Sequence, residues 1–291
     1  MTKTILTCIS LFLCSSAFIS FPEAKPKVPK EYVYIPAGIF LDGDNYTGKR
    51  ASLLGYYMSK YEITNQQYRE FVNEGSQNLS KDEVEKVKVD SSGWKIKPYY
   101  GEPLKPDYFT HPAYNNYPVV NIPYDGALKY CSWLQQKIQK DNPGFIITVK
   151  LPSRLEWTYA AMGGRSDALY PWGGNYMRDK NGKFLCNFNH IDESAIVRNK
   201  QTGEPEIVKS LANHKHEFST VNVGAYFPND FGLYNMSGNA AEMTDSAGVC
   251  MGGSWQDFGG DVSVTSKGKY DKPSSSVGFR PIIIVKEISK N

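Results

Sequence analysis

The sequence predicts an α+β domain that is rich in loops and has little regular secondary structure. The chain of 291 residues contains 25 glycines and 20 tyrosines, and its apolar runs are short. Both helix-type and strand-type periodicities occur, separated by turn residues. Residues 231–255 combine glycines, aromatic residues and oxygen-bearing side chains with almost no apolar periodicity. We therefore expect much of the domain to consist of ordered loops.

The chain begins with the features of an export signal. Lys3 precedes a short apolar run that is closed by small residues up to Ala17, the pattern of a secretory signal peptide too short to span a bilayer. Cleavage after Ala17 would remove residues 1–17. The alternative is a lipoprotein site at Cys14, preceded by Leu13 where a smaller residue is usual. We expect an exported protein of the periplasm or outer membrane, with a lipid anchor as the alternative.

Residues 18–30 are expected to form a tether, because prolines oppose helix and sheet and lysines keep the segment solvated. Residues 31–287 have the composition of one folded domain, without a second linker. The net charge of +3 is spread along the chain and gives no indication of nucleic-acid binding. The domain's three cysteines, at positions 131, 186 and 250, allow one disulfide but no disulfide framework. Cys131 is expected to be a small buried hydrophobic residue.

In the first half of the domain the patterns predict a strand over residues 32–40 with a turn or bulge at Pro36-Ala37-Gly38 inside it, and a second strand over residues 53–61. Thr64 is expected to cap a helix over residues 65–74 that ends at Gly75. Residues 76–112 are polar and are expected to form an excursion packed on the domain. A short strand is predicted over residues 118–122.

The second half begins with the clearest helix, which Asp125 is expected to cap. Its apolar residues recur at helical spacing: Ala127, Tyr130, Cys131, Leu134 and Ile138. Another helix is expected to start at Ser153, which forms a capping box with Glu156, and to end at Gly163. A closing strand is predicted over residues 277–285.

Residues 231–255 also carry oxygen donors at close intervals: Asn235, Asn239, Glu242 and Asp245. A hard cation held by carbonyl, amide and carboxylate oxygens would satisfy such a loop. The alternative is a loop held by its own asparagine and serine side chains. The residues alone leave both interpretations open.

Nine short motifs follow one another along most of the domain: I-P-A-G-I-F, Y-E-I-T-N-Q-Q-Y-R-E-F, Y-P-V-V-N-I, A-L-K-Y-C-S-W, L-P-S-R-L-E-W-T-Y-A-A, Y-P-W-G-G, F-P-N-D-F-G-L-Y-N-M-S-G-N-A-A-E-M, G-G-S-W and V-G-F-R-P. With these motifs in this order, the chain resembles the formylglycine-generating enzyme (sulfatase-modifying factor) superfamily over most of its domain. The resemblance implies the family's C-type-lectin-like α+β fold. It also implies a structural calcium site at Asn235, Gly238, Ala240 and Glu242. A second calcium site would involve Asn187, Phe188 and Phe218, but His216 stands at its aspartate position, where neighbouring Glu217 could substitute.

The chain departs from this family at the catalytic positions. Family enzymes bind copper(I) through two cysteines that follow G-G-S-W or its tyrosine variant, and copper(I) requires soft thiolate ligands. Here Asp257 and Val262 stand at those positions. The scattered histidines do not suggest an iron site either. We therefore expect no catalytic residues, no bound copper and no formylglycine activity.

One branch of the superfamily fits better. Residues 171–188, P-W-G-G-N-Y-M-R-D-K-N-G-K-F-L-C-N-F, are similar to a segment of the gliding-motility and type IX secretion lipoproteins of Bacteroidetes. This resemblance implies a non-catalytic structural or assembly component of the cell envelope, acting in a complex of several envelope proteins. The alternative is a lectin-like module that binds sugar or peptide through Trp255, Phe258 and Tyr270. A residual oxidase is a third interpretation.

Overall fold

The computed structural model describes residues 25–42, 48–90, 94, 107–190, 196–207 and 219–288. The helices in these ranges are α1 (Asn65–Glu74), α2 (Lys81–Glu85), α3 (Tyr124–Lys140) and α4 (Arg154–Met162). The strands are β1 (Tyr32–Ile35), β2 (Gly38–Asp42), β3 (Lys49–Leu53), β4 (Tyr56–Ser59), β5 (Phe145–Lys150), β6 (Ile196–Arg198), β7 (Pro205–Ile207), β8 (Ala241–Met243), β9 (Val249–Met251), β10 (Lys267–Lys269), β11 (Val277–Phe279) and β12 (Ile282–Glu287).

Two four-stranded sheets organise the described part of the chain. The first has the order β1-β4-β12-β5 and is antiparallel throughout. The second has the order β10-β9-β8-β11, and its β8–β11 pair is parallel. Strands β11 and β12 are separated only by Arg280 and Pro281. The chain therefore crosses from the second sheet to the first at these two residues.

Helix α3 covers the edge of the first sheet. The backbone N–H groups of Ile147 and Val149 in β5 donate to the side-chain oxygens of Gln139 and Gln135 at 3.0 and 2.9 Å. The apolar face of α3 packs into the largest buried cluster, which includes Tyr68, Tyr130 and Phe279. A second cluster surrounds Trp157 of α4. The helix thus protects the outer N–H groups of β5 while burying its own apolar stripe.

Two predicted helices are confirmed at their ends. Thr64 and Gln67 form a capping box at the start of α1, and Ser153 and Glu156 form one at the start of α4. Gly163 ends α4 in the left-handed conformation, with φ of 63°. Helix α3 instead begins at Tyr124 after Pro123, so Asp125 lies in the first turn and is not the cap.

Several predicted strands differ from the structure. The strand expected over residues 32–40 is interrupted between β1 and β2, at the turn predicted for Pro36-Ala37-Gly38. Of the strand expected over 53–61, only β4 and the end of β3 are strand. The closing strand expected over 277–285 is divided between β11 and β12, which belong to different sheets. Residues 118–122 contribute only an isolated bridge between Thr64 and Pro118. Asn121, with φ of 58°, interrupts extended geometry there.

The described part of the expected tether lies against the domain. The backbone N–H of Lys27 donates to Asn142 Oδ1 at 2.7 Å, and Asn142 Nδ2 donates to the Lys27 carbonyl at 3.0 Å. Val28 packs against the largest buried cluster. The predicted signal peptide and Cys14 lie outside the described residues. Within the described ranges, no helix combines the length and apolarity needed to cross a bilayer.

Candidate functional site

The backbone of residues 231–255 is folded by residues in the left-handed region. Asn235, Gly238 and Asn239 have φ of 52°, 71° and 62°, a conformation that glycine and asparagine tolerate best. A Cβ atom on Gly238 would lie 2.2 Å from the carbonyl oxygen of Asn187. Strands β8 and β9 lie within this stretch, although its pattern predicts no strand. The turns direct several asparagine and glutamate side chains into the interior.

Glu242 and Arg280 form a buried ion pair at the centre of this region. Arg280 Nη2 donates to Glu242 Oε1 at 2.6 Å, and Arg280 Nε lies 3.0 Å from both carboxylate oxygens. The indole N–H of Trp157 donates to Glu242 Oε2 at 2.7 Å. The remaining N–H groups of Arg280 donate to the carbonyls of Ser59, Lys60 and Tyr234. Every donor of the guanidinium is therefore satisfied, as a buried charge requires.

Glu62 is a second fully buried carboxylate beside this pair. Asn239 Nδ2 donates to its Oε1 at 2.7 Å, and Asn235 Nδ2 donates to its Oε2 at 3.1 Å. Burial raises the pKa of Glu62 to about 7; nearby Arg280 opposes this rise, whereas Glu242 adds to it. Glu62 is thus a buried group whose charge can change near neutral pH.

The side chains of the first expected calcium site differ in how available their oxygens are to the ion. Asn235 Oδ1 is buried and has no hydrogen-bond partner, so it could act as a ligand. Both oxygens of Glu242 already accept hydrogen bonds from Arg280 or Trp157. The described residues contain no group of three or more histidine, cysteine or acidic side chains suited to a metal ion. Calcium at Asn235, Gly238, Ala240 and Glu242 therefore stays a prediction that depends on Asn235.

The second expected calcium site is only partly described, since Glu217 and Phe218 lie outside the described residues. The Asn187 carbonyl accepts a hydrogen bond from the Asn239 N–H at 2.8 Å. Phe188 is 8% exposed and packs edge to face against Phe184. These contacts give both residues a role in packing, and occupation of the second site stays a prediction.

Asp257 and Val262, which stand at the positions where the resemblance places the family's catalytic cysteines, have structural roles. Asp257 Oδ2 accepts hydrogen bonds from the backbone N–H and hydroxyl of Ser254 at 2.8 and 2.6 Å. Val262 is fully buried in a small apolar cluster with Tyr170, Cys186 and Phe188. Among the described residues Cys131, Cys186 and Cys250 are buried free thiols, as expected for Cys131. Burial raises the pKa of Cys131 to about 12 and that of Cys250 to about 11, which disfavours the thiolates that a metal needs.

The expected sugar- or peptide-stacking site at Trp255, Phe258 and Tyr270 is not formed as predicted. Trp255 is only 5% exposed, and its indole N–H donates to the Ser275 carbonyl at 3.1 Å. Tyr270 packs against the largest buried cluster. Only Phe258 is largely exposed, at 51%. The sequence places these aromatic residues in one loop but does not show that the loop turns two of them inward.

Glu62 and Arg280 are the site residues that the sequence analysis missed. Both lie within sequence motifs on which the family resemblance rests, Y-E-I-T-N-Q-Q-Y-R-E-F and V-G-F-R-P. Charged residues flanked by apolar residues that are expected to be buried could have indicated a buried ion pair. The pairing itself could not be predicted, since 38 residues separate Glu242 from Arg280 and 173 separate Glu62 from Asn235.

The fold and the site define a class of protein: a loop-rich α+β domain organised around a buried glutamate–arginine pair. Residues 19–285 match the family described as sulfatase-modifying factor enzyme 1-like domain. The chain belongs to this family. The match begins before residue 31, in agreement with the contacts of Lys27 and Val28.

Named relatives include both enzymes and a protein described as inactive. The formylglycine-generating enzyme of Bos taurus is 26% identical over 253 residues, which cover 77% of this chain and 60% of the relative. The inactive C-alpha-formylglycine-generating enzyme 2 of Mus musculus is 24% identical, with 85% of this chain and 84% of the relative covered. The chaperone protein LppX of Paenibacillus barcinonensis is 23% identical, with 84% and 85% covered. The chain thus spans about three fifths of the bovine enzyme's length.

Solved structures show the same fold. PvdO from Pseudomonas aeruginosa superposes with a TM-score of 0.55 at 16% identity, covering 91% of this chain and 100% of that chain. Treponema denticola variable protein 1 gives a TM-score of 0.54 at 18% identity, covering 86% and 94%. These similarities confirm the predicted fold class.

Proposed function

We propose that this protein is a non-catalytic member of its family that acts through protein contacts in the cell envelope. Its role would be that of a structural or assembly component, of the kind found in gliding motility or type IX secretion. The observation that carries the proposal is the chemistry of positions 257 and 262. An aspartate that accepts hydrogen bonds from Ser254 and a fully buried valine cannot supply the two thiolates that copper(I) requires.

The remaining thiols of the described chain do not compensate for the missing pair. Cys186 lies in the same apolar cluster as Val262 but is buried at 4% exposure, and burial raises its pKa. A single buried thiol without a thiolate partner is a poor copper(I) ligand.

The contact-based part of the proposal is supported by residues 171–188 and by the names of two relatives. This segment contains Tyr176, which is 81% exposed, and an Arg178 guanidinium 3.9 Å from the Phe184 ring centroid. An exposed tyrosine such as Tyr176 suits a protein interface, where tyrosine is enriched. The relatives described as an inactive enzyme and as a chaperone favour a role without oxidase chemistry.

An anaerobic copper(I) titration followed by an oxidation assay on a cysteine-containing peptide tests the catalytic part. We expect no stoichiometric copper(I) binding and no formylglycine, with the bovine enzyme as the positive control. Copper-dependent conversion of the peptide cysteine by this protein would overturn the proposal.

A further inference from the structure

A cleft lies beside helices α1 and α3. It consists of two adjoining cavities of about 430 and 470 Å³ that share Glu31, Gln67 and Glu70 in their walls. The first cavity runs along α3 and is partly walled by residues Lys27 to Pro29, the segment expected to be a tether. The lining of neither cavity includes residues 252–262. The cleft is therefore separate from the positions where the family's enzymes carry their cysteines.

The junction of the two cavities is acidic. Within the described part of the chain, the side chains of Glu31 and Glu70 form no hydrogen bond or ion pair. Both residues line the first cavity together with Tyr130. An unpaired pair of carboxylates in a cleft favours a positively charged ligand.

The linings of the two cavities carry three carboxylates and two lysines, and both lysines lie in the first cavity. Lys137 lies 3.3 Å from Glu74 and 4.7 Å from the centroid of the Trp133 ring, so its charge is already engaged. Lys27 is the other cation of the lining, and Asp141 adds a third carboxylate. The second cavity is lined by no lysine or arginine.

The walls also offer aromatic and amide groups. Tyr130 and Trp133 of α3 line the first cavity together with Tyr32, whose buried hydroxyl has no hydrogen-bond partner. The second cavity is polar, with Gln66 and Asn116 among its lining residues. Aromatic faces can pack against the stem of a long cationic side chain, and amides can pair with a peptide backbone.

The dimensions suit an extended chain. From Tyr130 to Asp141 the helix axis rises about 16 Å, which corresponds to about five residues of extended peptide. A chain of this length that continued past Glu31 and Glu70 would reach the amide-lined cavity. Neutral sugars could donate hydrogen bonds to the two carboxylates but would not neutralise their charge, and acidic ligands would be repelled by them.

We propose that this cleft binds an extended segment of a partner protein that carries lysine or arginine at the Glu31–Glu70 junction. The inference rests on the proposed role in protein contacts and specifies the chemistry of one partner. The cation would lie between the two carboxylates, with its aliphatic stem against the aromatic wall and the peptide backbone along the amide-lined cavity.

Fluorescence anisotropy with an acetylated, fluorescein-labelled octapeptide of alternating serine and lysine tests this proposal on the full chain. We expect saturable binding that weakens at high salt, since exposed charges are screened. The double variant Glu31→Gln, Glu70→Gln is expected to bind about tenfold more weakly, because each surface ion pair contributes modestly. The double variant Glu85→Gln, Glu204→Gln, which removes the same two charges from exposed side chains outside the cleft, is the matched control.

Circular dichroism should show that all variants fold. Equal binding of the lysine peptide to the wild type and to the double variant Glu31→Gln, Glu70→Gln would overturn the inference. A serine–glutamate peptide that bound the wild type as tightly as the lysine peptide would overturn it too. Absence of binding up to about 1 mM peptide, an affinity too weak for a specific contact, would also overturn it. If the native protein then still retained an envelope partner, the cleft assignment alone would fail and the proposed function would stand.

Discussion

Glu242 and Arg280 connect the two sheets of the domain through one ion pair. Glu242 lies in β8 of the second sheet, and Arg280 lies between β11 of the second sheet and β12 of the first. Their side chains are 1% and 0% exposed, and the closest atoms are 2.6 Å apart. Arg280 also holds the carbonyls of Ser59 and Lys60 at the end of β4. The guanidinium thus joins both sheets to the loop that carries Tyr234.

Neutralising Glu242 is expected to destabilise the protein strongly. Glu242→Gln should lower the free energy of unfolding by about 3–5 kcal/mol, because it leaves the Arg280 charge buried and uncompensated. Urea unfolding followed by circular dichroism measures this. Glu85→Gln, in an exposed pair with Lys88, is the control and should change the midpoint little. A loss below about 1 kcal/mol for Glu242→Gln would contradict a central role for the pair.

The stability of the protein is expected to depend on pH through Glu62. Its pKa is raised from 4.5 to about 7 by burial, so the folded state binds more protons than the unfolded state between these values. The contribution of Glu62 to the free energy of unfolding is therefore fully present below about pH 4.5 and is lost as pH rises toward 7. The total loss is about 3 kcal/mol. Unfolding in calcium-free buffer should show this slope in the wild type and not in Glu62→Gln. Parallel pH profiles for the two proteins would show that Glu62 does not titrate in this range.

Gly238 is expected to tolerate no side chain. Gly238→Ala adds strain at a φ of 71° and places Cβ 2.2 Å from the Asn187 carbonyl oxygen. Gly232→Ala is the matched control, since its φ is 83° but no atom lies within 4 Å of the added Cβ. The control should lose about 1–2 kcal/mol from the backbone conformation, and Gly238→Ala should lose clearly more. Equal losses, measured by thermal unfolding, would show that the close approach to Asn187 relaxes without cost.

Calcium, if it binds at Asn235, is expected to stabilise the folded state. The buried Oδ1 of Asn235 has no partner in the protein, and a cation would provide one. Calcium at one hundred times its dissociation constant should add about 2.7 kcal/mol to the wild type and nothing to Asn235→Ala. If calcium changed neither protein, Arg280 alone would neutralise Glu242 and the expected ion would be absent.

The thiols of Cys131, Cys186 and Cys250 are expected to resist alkylation in the folded protein. All three are buried, and burial raises the pKa of each, so little reactive thiolate is present near neutral pH. Iodoacetamide treatment followed by peptide mass spectrometry should label them only after unfolding in guanidinium. Rapid labelling of Cys186 in the native state would indicate an accessible thiol beside position 262.

The sequence predicted local features better than contacts between residues that are distant in the chain. The ends of α1 and α4 follow from Thr64, Gln67, Ser153 and Glu156, because capping depends on residues three positions apart. The burial of Trp255 depends on Ser275, twenty residues away. The division of the closing strand depends on Arg280, whose partners come from both sheets. Such features require the tertiary structure, which local periodicity does not contain.

The most direct test of the central claim is gentle affinity purification of the native protein from envelope fractions, followed by sizing and mass spectrometry of the bound material. A non-catalytic component that acts through protein contacts should elute in a large complex with at least one stoichiometric envelope partner. A protein that elutes alone as a monomer under the same conditions would contradict the account.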